Sequence, residues 1–422
     1  MFSRLNKSAS MRSPLRLISN HIARSSVSAR QTTSVVSPLA TLSSSGIRVS
    51  WPEGGESHFH NIWLRDHCRC PRCLHQVTRQ RLFDTFSIPD TIKPSNIDWD
   101  DQGLRIRWGE SDHESNFRWP WLRSNSFTSQ TPSQSIPIPS NKILWGKEIA
   151  QNPPTVSYQS VMQDGEEGIR KWLDYIDSHG FCYVTGVPVS PEKTEELAKM
   201  ISHIRMTHWG GFWDFTADES RGDTAYSNLA LRAHTDNTYY TEPSGLQMFH
   251  MLEFRGKGGE SLLVDGFQAA KILKEKYPES YEILSTVRIP THAAGDDGFL
   301  FQPTPNPGYP ILNHGEGGEL YQIRYNNDDR STMRHLPYEQ VEPFYTALKR
   351  WSAILTDVGS EYWRQLTPGT LVVFDNWRVL HGRAAFTGYR RLCGCYISWD
   401  DYQSRLKVAR LKTNNKQVKD VI

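Results

Sequence analysis

Two groups of side chains in the 422-residue sequence have the types and spacing to hold metal ions. In Ala233-His234-Thr235-Asp236-Asn237 an imidazole and a carboxylate lie two residues apart, and alternation along a strand would point both to one face. A second imidazole, His381, lies far downstream in Asp375-Asn376-Trp377-Arg378-Val379-Leu380-His381-Gly382-Arg383, directly after the strand-like run 371–374. A His-x-Asp pair alone is more often an ordinary hydrogen-bonded pair. Joined by a second His it makes a two-His, one-carboxylate triad, which leaves Fe(II) three open positions for a chelating co-substrate and O₂. Arg390 follows on and offers a rigid bidentate fork for a carboxylate, a role for which Arg391 beside it competes. The second group is Cys68-Arg69-Cys70-Pro71-Arg72-Cys73. It supplies three thiols, and a closed tetrahedral zinc site needs a fourth ligand, for which His67, His75 and His113 are candidates.

The elements that must position these residues are mostly strands. Residues 47–51 and 104–108 alternate like half-buried strands, 59–64 reads as another after a Gly-rich turn, and 115–122 adds a stretch ending in aromatics. Together they predict a small β module over 46–123. Residues 124–150 open on a Ser-, Pro- and Thr-rich run without apolar periodicity, the composition of a linker. In 151–412, helices are expected over 168–178, 190–204 (Ser190 with Pro191 as its start), 267–276 and 338–356. Short strands are expected over 180–186, 245–252, 261–264, 320–325, 370–374 and 392–399. This predicts a mostly β protein with flanking helices, its catalytic domain a double-stranded β-helix (jelly roll) behind the small zinc-binding β domain. Residues 413–422 form a tail.

Composition is that of an ordinary globular protein: 37% hydrophobic, 22% charged and a net charge of +2, which indicates neither a nucleic-acid nor a membrane surface. No run approaches the roughly 20 apolar residues of a bilayer-spanning helix. Six cysteines, three of them clustered, do not form a secreted disulfide framework, and a reducing compartment is expected. Residues 1–45 carry Arg4, Lys7, Arg12, Arg16, Arg24 and Arg30, many serines, and no acid before Glu53, a presequence composition.

Residues 234–265 (HTDNTYYTEPSGLQMFHMLEFRGKGGESLLVD) and 375–396 (DNWRVLHGRAAFTGYRRLCGCY) resemble the Fe(II)/2-oxoglutarate dioxygenases of carnitine biosynthesis. The resemblance implies iron at His234, Asp236 and His381, the distal carboxylate of 2-oxoglutarate on Arg390, and Ser261 near the co-substrate. It implies structural zinc on Cys68, Cys70, Cys73 and His113, the last lying ahead of Trp121-Leu122. Trp209, Trp213, Tyr226 and Tyr396 match an aromatic cage for a trimethylammonium group, although Trp209 stands where the γ-butyrobetaine-hydroxylating branch has a tyrosine. Asp223 replaces an amide of that branch and suits an α-ammonium, while Asn326 or Asn327 would meet the substrate carboxylate. The implied reaction is hydroxylation of free N6,N6,N6-trimethyllysine at C3, the first step of carnitine synthesis. The alternatives are γ-butyrobetaine hydroxylation and, in another class, a non-catalytic trimethyllysine reader. Fe(II), 2-oxoglutarate, O₂, structural Zn(II) and ascorbate are the implied cofactors. The mitochondrial matrix is the implied location, and the small module offers a contact surface for a homodimer.

Overall fold

A computed structural model describes residues 37–109, 112–127, 141–216, 227–295 and 297–418. Most of the expected presequence (1–36), Asp223 and Tyr226 lie outside the described residues. The chain divides into two compact units, Met1–Ser129 and Gln130–Ile422.

In the first unit, β1 (Leu39–Leu42), β2 (Gly46–Ser50) and β3 (Glu56–His60) form one antiparallel sheet. A second sheet, β4 (Pro94–Trp99), β5 (Gly103–Trp108) and β6 (His113–Arg118), follows α1 (Asn61–Asp66) and precedes α2 (Trp119–Ser124). The alternation in β5 is the expected one, with Leu104, Ile106 and Trp108 buried and Arg105 and Arg107 outside. Three boundaries differ from the sequence reading. β1 pairs with β2, so folded structure begins ahead of residue 46. The run 59–64 leaves the strand at His60 and continues as α1, whose helical period buries Asn61, Leu64 and Arg65 together. The aromatic end of 115–122 turns helical at Trp119, where Pro120 sits in the first turn and needs no N–H partner.

In the second unit, β7 (Thr155–Ser157), α3 (Tyr158–Gln163), α4 (Gly165–His179), β8 (Phe181–Thr185), α5 (Pro191–Lys199), β9 (Trp213–Thr216), β10 (Leu231–His234), β11 (Leu246–Gly258) and β12 (Ser261–Asp265) come first. They are followed by α6 (Gly266–Lys276), α7 (Pro278–Thr286), β13 (Leu312–His314), β14 (Leu320–Ile323), α8 (Tyr338–Leu355), β15 (Tyr362–Arg364), β16 (Thr370–Asp375), β17 (Val379–Arg383), β18 (Phe386–Ile397) and α9 (Trp399–Thr413). A six-stranded sheet has the order β7-β8-β16-β11-β18-β9 and a four-stranded sheet the order β10-β17-β12-β15. Their inner faces share one core, in which Met251, Phe374 and Leu392 of the larger sheet pack with Leu263, Tyr362 and Val379 of the smaller. The outer face of the larger sheet is covered by α4 and α9 through Trp172, Ile176, Tyr402 and Leu406, that of the smaller by α6 to α8 through Leu273, Leu284 and Trp351.

Local signals explain several joints. Ser190 caps α5 by accepting from the Lys193 amide at 3.2 Å, as Ser-Pro suggested. Gly180 ends α4 in the left-handed region (φ 82°), donating to the Ile176 carbonyl at 2.8 Å. Packed chain resumes earlier than the linker reading of 124–150 allows, because Trp145 is buried against Phe181 with ring centroids 5.0 Å apart. The strand expected to reach Trp399 stops at Ile397, and α9 follows. The turn between β16 and β17 is anchored by Arg378, whose guanidinium donates to Asp265 at 3.0 and 2.8 Å, with both side chains fully buried.

Candidate active site and metal centres

The smaller sheet brings His234 and His381 together. They are Cα partners across β10 and β17, and their rings lie 4.3 Å apart by centroid. Asp236 joins them by a different route from the one alternation predicts. β10 ends at His234, and a bend follows in which Asn237 takes φ 59°. This bend is held from the far side by Asn376, whose Oδ1 accepts from the Asp236 amide at 2.8 Å and whose Nδ2 donates to the Asp236 carbonyl at 3.1 Å. Asp236 Oδ1 thereby sits 3.2 Å from His234 Nε2 and 3.5 Å from His381 Nε2. The three ligand atoms lie within 4.8 Å of one another and could hold a metal ion.

Two further features fit this donor set to a divalent metal ion. The His234 Nδ1–H donates to the Arg232 carbonyl at 2.7 Å, which turns Nε2 towards Asp236 as the nitrogen a metal would take. Burial alone would raise the Asp236 pKa, but the facing imidazoles and the Tyr396 hydroxyl outweigh it and hold the carboxyl well below the usual range, in its ligating form.

A cavity opens from these residues. Ser261, from the start of β12, and Arg390, from β18, line it beside His381. Arg390 is 8% exposed, and among the described residues it makes no ion pair and its Nε has no hydrogen-bond partner. Burial, with Arg383 nearby, pulls its pKa down to about 9, so it remains a cation at neutral pH. An unneutralised buried guanidinium calls for an anionic ligand. Its neighbour Arg391 faces outward and pairs with Asp214 at 2.5 Å.

Trp209, Trp213, Tyr396 and Asn326 also line the cavity, whereas Asn327 does not. Trp213 meets Tyr396 edge to face at 6.0 Å, and its ring covers Gly394, where a Cβ would come within 2.4 Å of it. Asp328 and Asp329, which the sequence reading did not single out, stand on the same wall. The reading also missed Asn376, although it lies inside a quoted motif, and Gln247. The signal for Gln247 is a lone amide in the apolar run of β11, where it is 2% exposed.

In the first unit, Cys68, Cys70, Cys73 and His113 converge. The turn after α1 folds back through Cys73 N–H to Cys70 O at 2.9 Å, and His113 opens β6 opposite. His113 Nε2 lies 3.2, 3.8 and 3.5 Å from the three sulfurs in order. Zn–S and Zn–N bonds of ordinary length in a tetrahedron separate S and N by roughly 3.5 Å, so the donors fit zinc. His67 instead stacks on Trp63 and bonds its carbonyl, and His75 accepts from the Thr78 amide, so neither joins the cluster. Burial pushes the Cys68 thiol up to about 12, a cost that a bound cation would reverse. Arg65 donates to Cys73 Sγ at 3.3 Å from behind.

The chain matches known families over both units. Residues 134–396 match the taurine catabolism dioxygenase TauD, TfdA family, and residues 40–123 match the gamma-butyrobetaine hydroxylase-like N-terminal family. Fold, site and match together define an Fe(II)/2-oxoglutarate-type dioxygenase. A trimethyllysine dioxygenase of Meyerozyma guilliermondii is 42% identical over 86% of this chain and 94% of its own. The mitochondrial trimethyllysine dioxygenase of Homo sapiens is 44% identical over 84% of this chain and 82% of its own. The gamma-butyrobetaine dioxygenase of Homo sapiens is 28% identical over 87% of this chain and 95% of its own. The chain belongs to the TauD/TfdA dioxygenase family, in the group whose curated members at 41–44% identity are trimethyllysine dioxygenases.

Proposed function

We propose that this protein hydroxylates free N6,N6,N6-trimethyllysine at C3, consuming 2-oxoglutarate and O₂ and releasing succinate and CO₂, in the mitochondrial matrix. The observation that carries the reading is a His-His-Asp cluster lining an aromatic-walled cavity with a buried arginine that has no ion pair among the described residues, in a chain 41–44% identical to trimethyllysine dioxygenases. The two facing sheets are assigned as a double-stranded β-helix, and the Cys₃His cluster as a structural zinc site. The basic presequence composition and the mitochondrial naming of the mammalian relatives support the location.

His234, Asp236 and His381 would hold Fe(II), which supplies oxidative decarboxylation of the 2-oxo acid and oxidation of an unactivated C–H bond. Arg390 binds the distal carboxylate of 2-oxoglutarate, with Ser261 beside it. Trp213, Trp209 and the Tyr396 ring, with Tyr226, receive the trimethylammonium, each face contributing roughly 0.5 to 2 kcal/mol once water is excluded. A trimethylammonium has no N–H, so ring faces suit it better than a carboxylate. The other end of the substrate is zwitterionic. Asp223 is assigned its α-ammonium and Asn326 its carboxylate, the latter because it, unlike Asn327, faces the cavity. Holding both ends fixes which carbon faces the metal. Ascorbate would keep the iron reduced between turnovers.

The test is product analysis by mass spectrometry with Fe(II), 2-oxoglutarate and O₂, offering trimethyllysine and γ-butyrobetaine separately. Oxygen incorporation into trimethyllysine with equimolar succinate is expected. Turnover of γ-butyrobetaine alone would transfer the protein to the other branch, and turnover of neither would leave a binding module.

A further inference from the structure

Asp236 has two carboxylate oxygens with different surroundings. Oδ1 faces the two imidazoles. Oδ2 accepts from the Tyr396 hydroxyl at 2.6 Å and from Gln247 Nε2 at 2.7 Å. Gln247 and Tyr396 are Cα partners across β11 and β18, so one rung of the larger sheet grips one oxygen of a residue belonging to neither strand. The hydrogen directions are determined. An ionised carboxylate only accepts, so the Gln247 NH₂ must face it, and the single hydroxyl proton of Tyr396 must point the same way. Gln247 Nε2 also lies 3.3 Å from the Tyr396 oxygen, which accepts. The cost is visible at the other end of the amide, where Gln247 Oε1 is buried without a partner among the described residues. A leucine of similar size would have filled this apolar strand without leaving an orphaned carbonyl, so the amide is there for Asp236.

We infer that the Gln247–Tyr396 rung is a positioning device that makes Asp236 a one-oxygen metal ligand. This rests on the reading of His234, Asp236 and His381 as the iron centre. With Oδ2 engaged by two donors, only Oδ1 is free to coordinate. A carboxylate binding through both oxygens would occupy one of the three positions that the co-substrate and O₂ require. The donors also fix the rotamer of a side chain that stands on a bend rather than on a strand. Tyr396 therefore has two duties on separate atoms: its ring stands against Trp213 in the substrate wall, and its hydroxyl supports the metal ligand.

The two duties can be separated in the purified full chain stripped of metal. Mn(II) affinity is titrated by electron paramagnetic resonance, without 2-oxoglutarate or substrate, for wild type, Gln247→Leu, Tyr396→Phe and Asp236→Ala. Supporting side chains of this kind are worth roughly 10- to 100-fold in metal affinity, so Gln247→Leu and Tyr396→Phe should each weaken Mn(II) by at least about tenfold. Because a phenylalanine ring still offers a face, Tyr396→Phe should lose a larger factor in Mn(II) affinity than in the KM for trimethyllysine at saturating iron, the reverse of the split expected of Trp213→Leu. Wild-type Mn(II) affinity in either variant, with Asp236→Ala defective, overturns the positioning role and leaves the metal centre standing. Wild-type affinity in Asp236→Ala overturns the metal centre itself. Near-ultraviolet circular dichroism checks folding, and if Gln247→Leu does not fold, Tyr396→Phe alone decides.

Discussion

Arg390 and Arg391 are consecutive on β18 yet serve opposite sides of the sheet: Arg390 lies buried in the cavity with no ion pair among the described residues, and Arg391 pairs with Asp214 at the surface. The alternation of a strand enforces the division. Truncating a buried charged partner costs roughly 2 to 5 kcal/mol of binding, so Arg390→Met should raise the KM for 2-oxoglutarate about 30-fold or more. Arg391→Met removes an exposed pair worth at most about 1 kcal/mol and should leave that KM within twofold. Steady-state kinetics in 2-oxoglutarate on both variants checks the assignment, and equal effects would refute it.

Gly394 is small because the Met248 carbonyl and the Trp213 ring both close on it. A Cβ there would meet the indole at 2.4 Å and the Met248 carbonyl still closer. Gly394→Ala should displace the ring and raise the KM for trimethyllysine by about tenfold or more, approaching the effect of Trp213→Leu, while the KM for 2-oxoglutarate changes little. Roughly 1.4 kcal/mol, within the worth of one desolvated ring face, corresponds to tenfold.

The zinc assignment predicts which imidazole matters. His113→Ala should lose the bound zinc and lower the unfolding temperature of the first unit, whereas His75→Ala should retain one zinc per chain. Atomic absorption on the purified variants distinguishes them. Chelation of the wild type should reproduce the His113→Ala unfolding profile, because structural zinc contributes folding energy directly.

Acid stability should report on His250, which is fully buried away from the metal. Thr194 gives its hydroxyl proton to the Ser190 carbonyl, so His250 Nδ1 is the donor to Thr194 Oγ1, at 2.6 Å, and Nε2 is an unprotonated, unpartnered nitrogen. Burial lowers the pKa to about 4. The unfolded chain, titrating near 6.5, then binds the proton that the native state refuses, so stability falls as pH drops from 6.5 towards 4. The contribution is on the order of 3 kcal/mol across that window. Urea denaturation of His250→Gln at pH 7 and pH 4.5 should show a flatter dependence than wild type, and parallel slopes would refute the account.

The sequence exposed those parts of the site that depend on residue type. His234, His381 and the cysteine cluster stood out as candidate ligands by residue type and spacing, and the structure brings each group together, while helix starts such as Ser190-Pro191 were local enough to read. What depends on register stayed hidden. Whether Arg390 or Arg391 turns inward is set by the pairing of β18 with β11, and the choice of His113 over His75 by where β6 starts relative to the turn after α1. Asp236 does meet the two imidazoles, but not by strand alternation, because the bend that aims it is held by Asn376 from a distant turn. Tyr396 was legible as an aromatic ring but not as a hydroxyl donor. The strand readings at 59–64 and 115–122 failed for a local reason: short aromatic runs satisfy period-2 and helical templates alike.

The strand order of the larger sheet also fixes an order of events. β11 lies between β16 and β18, so both of its edges are filled by strands synthesised more than a hundred residues after it begins. Until those strands emerge, a long apolar strand stands open on both sides, a template for pairing with other chains. The same late segment carries His381, Arg390 and Tyr396. Sheet closure and completion of the reactive centre are therefore one event. On the proposed assignments, a chain that stops short of it has two of three metal ligands, no anchor for the 2-oxo acid and no support for Asp236, so a nascent or truncated copy cannot begin oxidising its surroundings before it has folded.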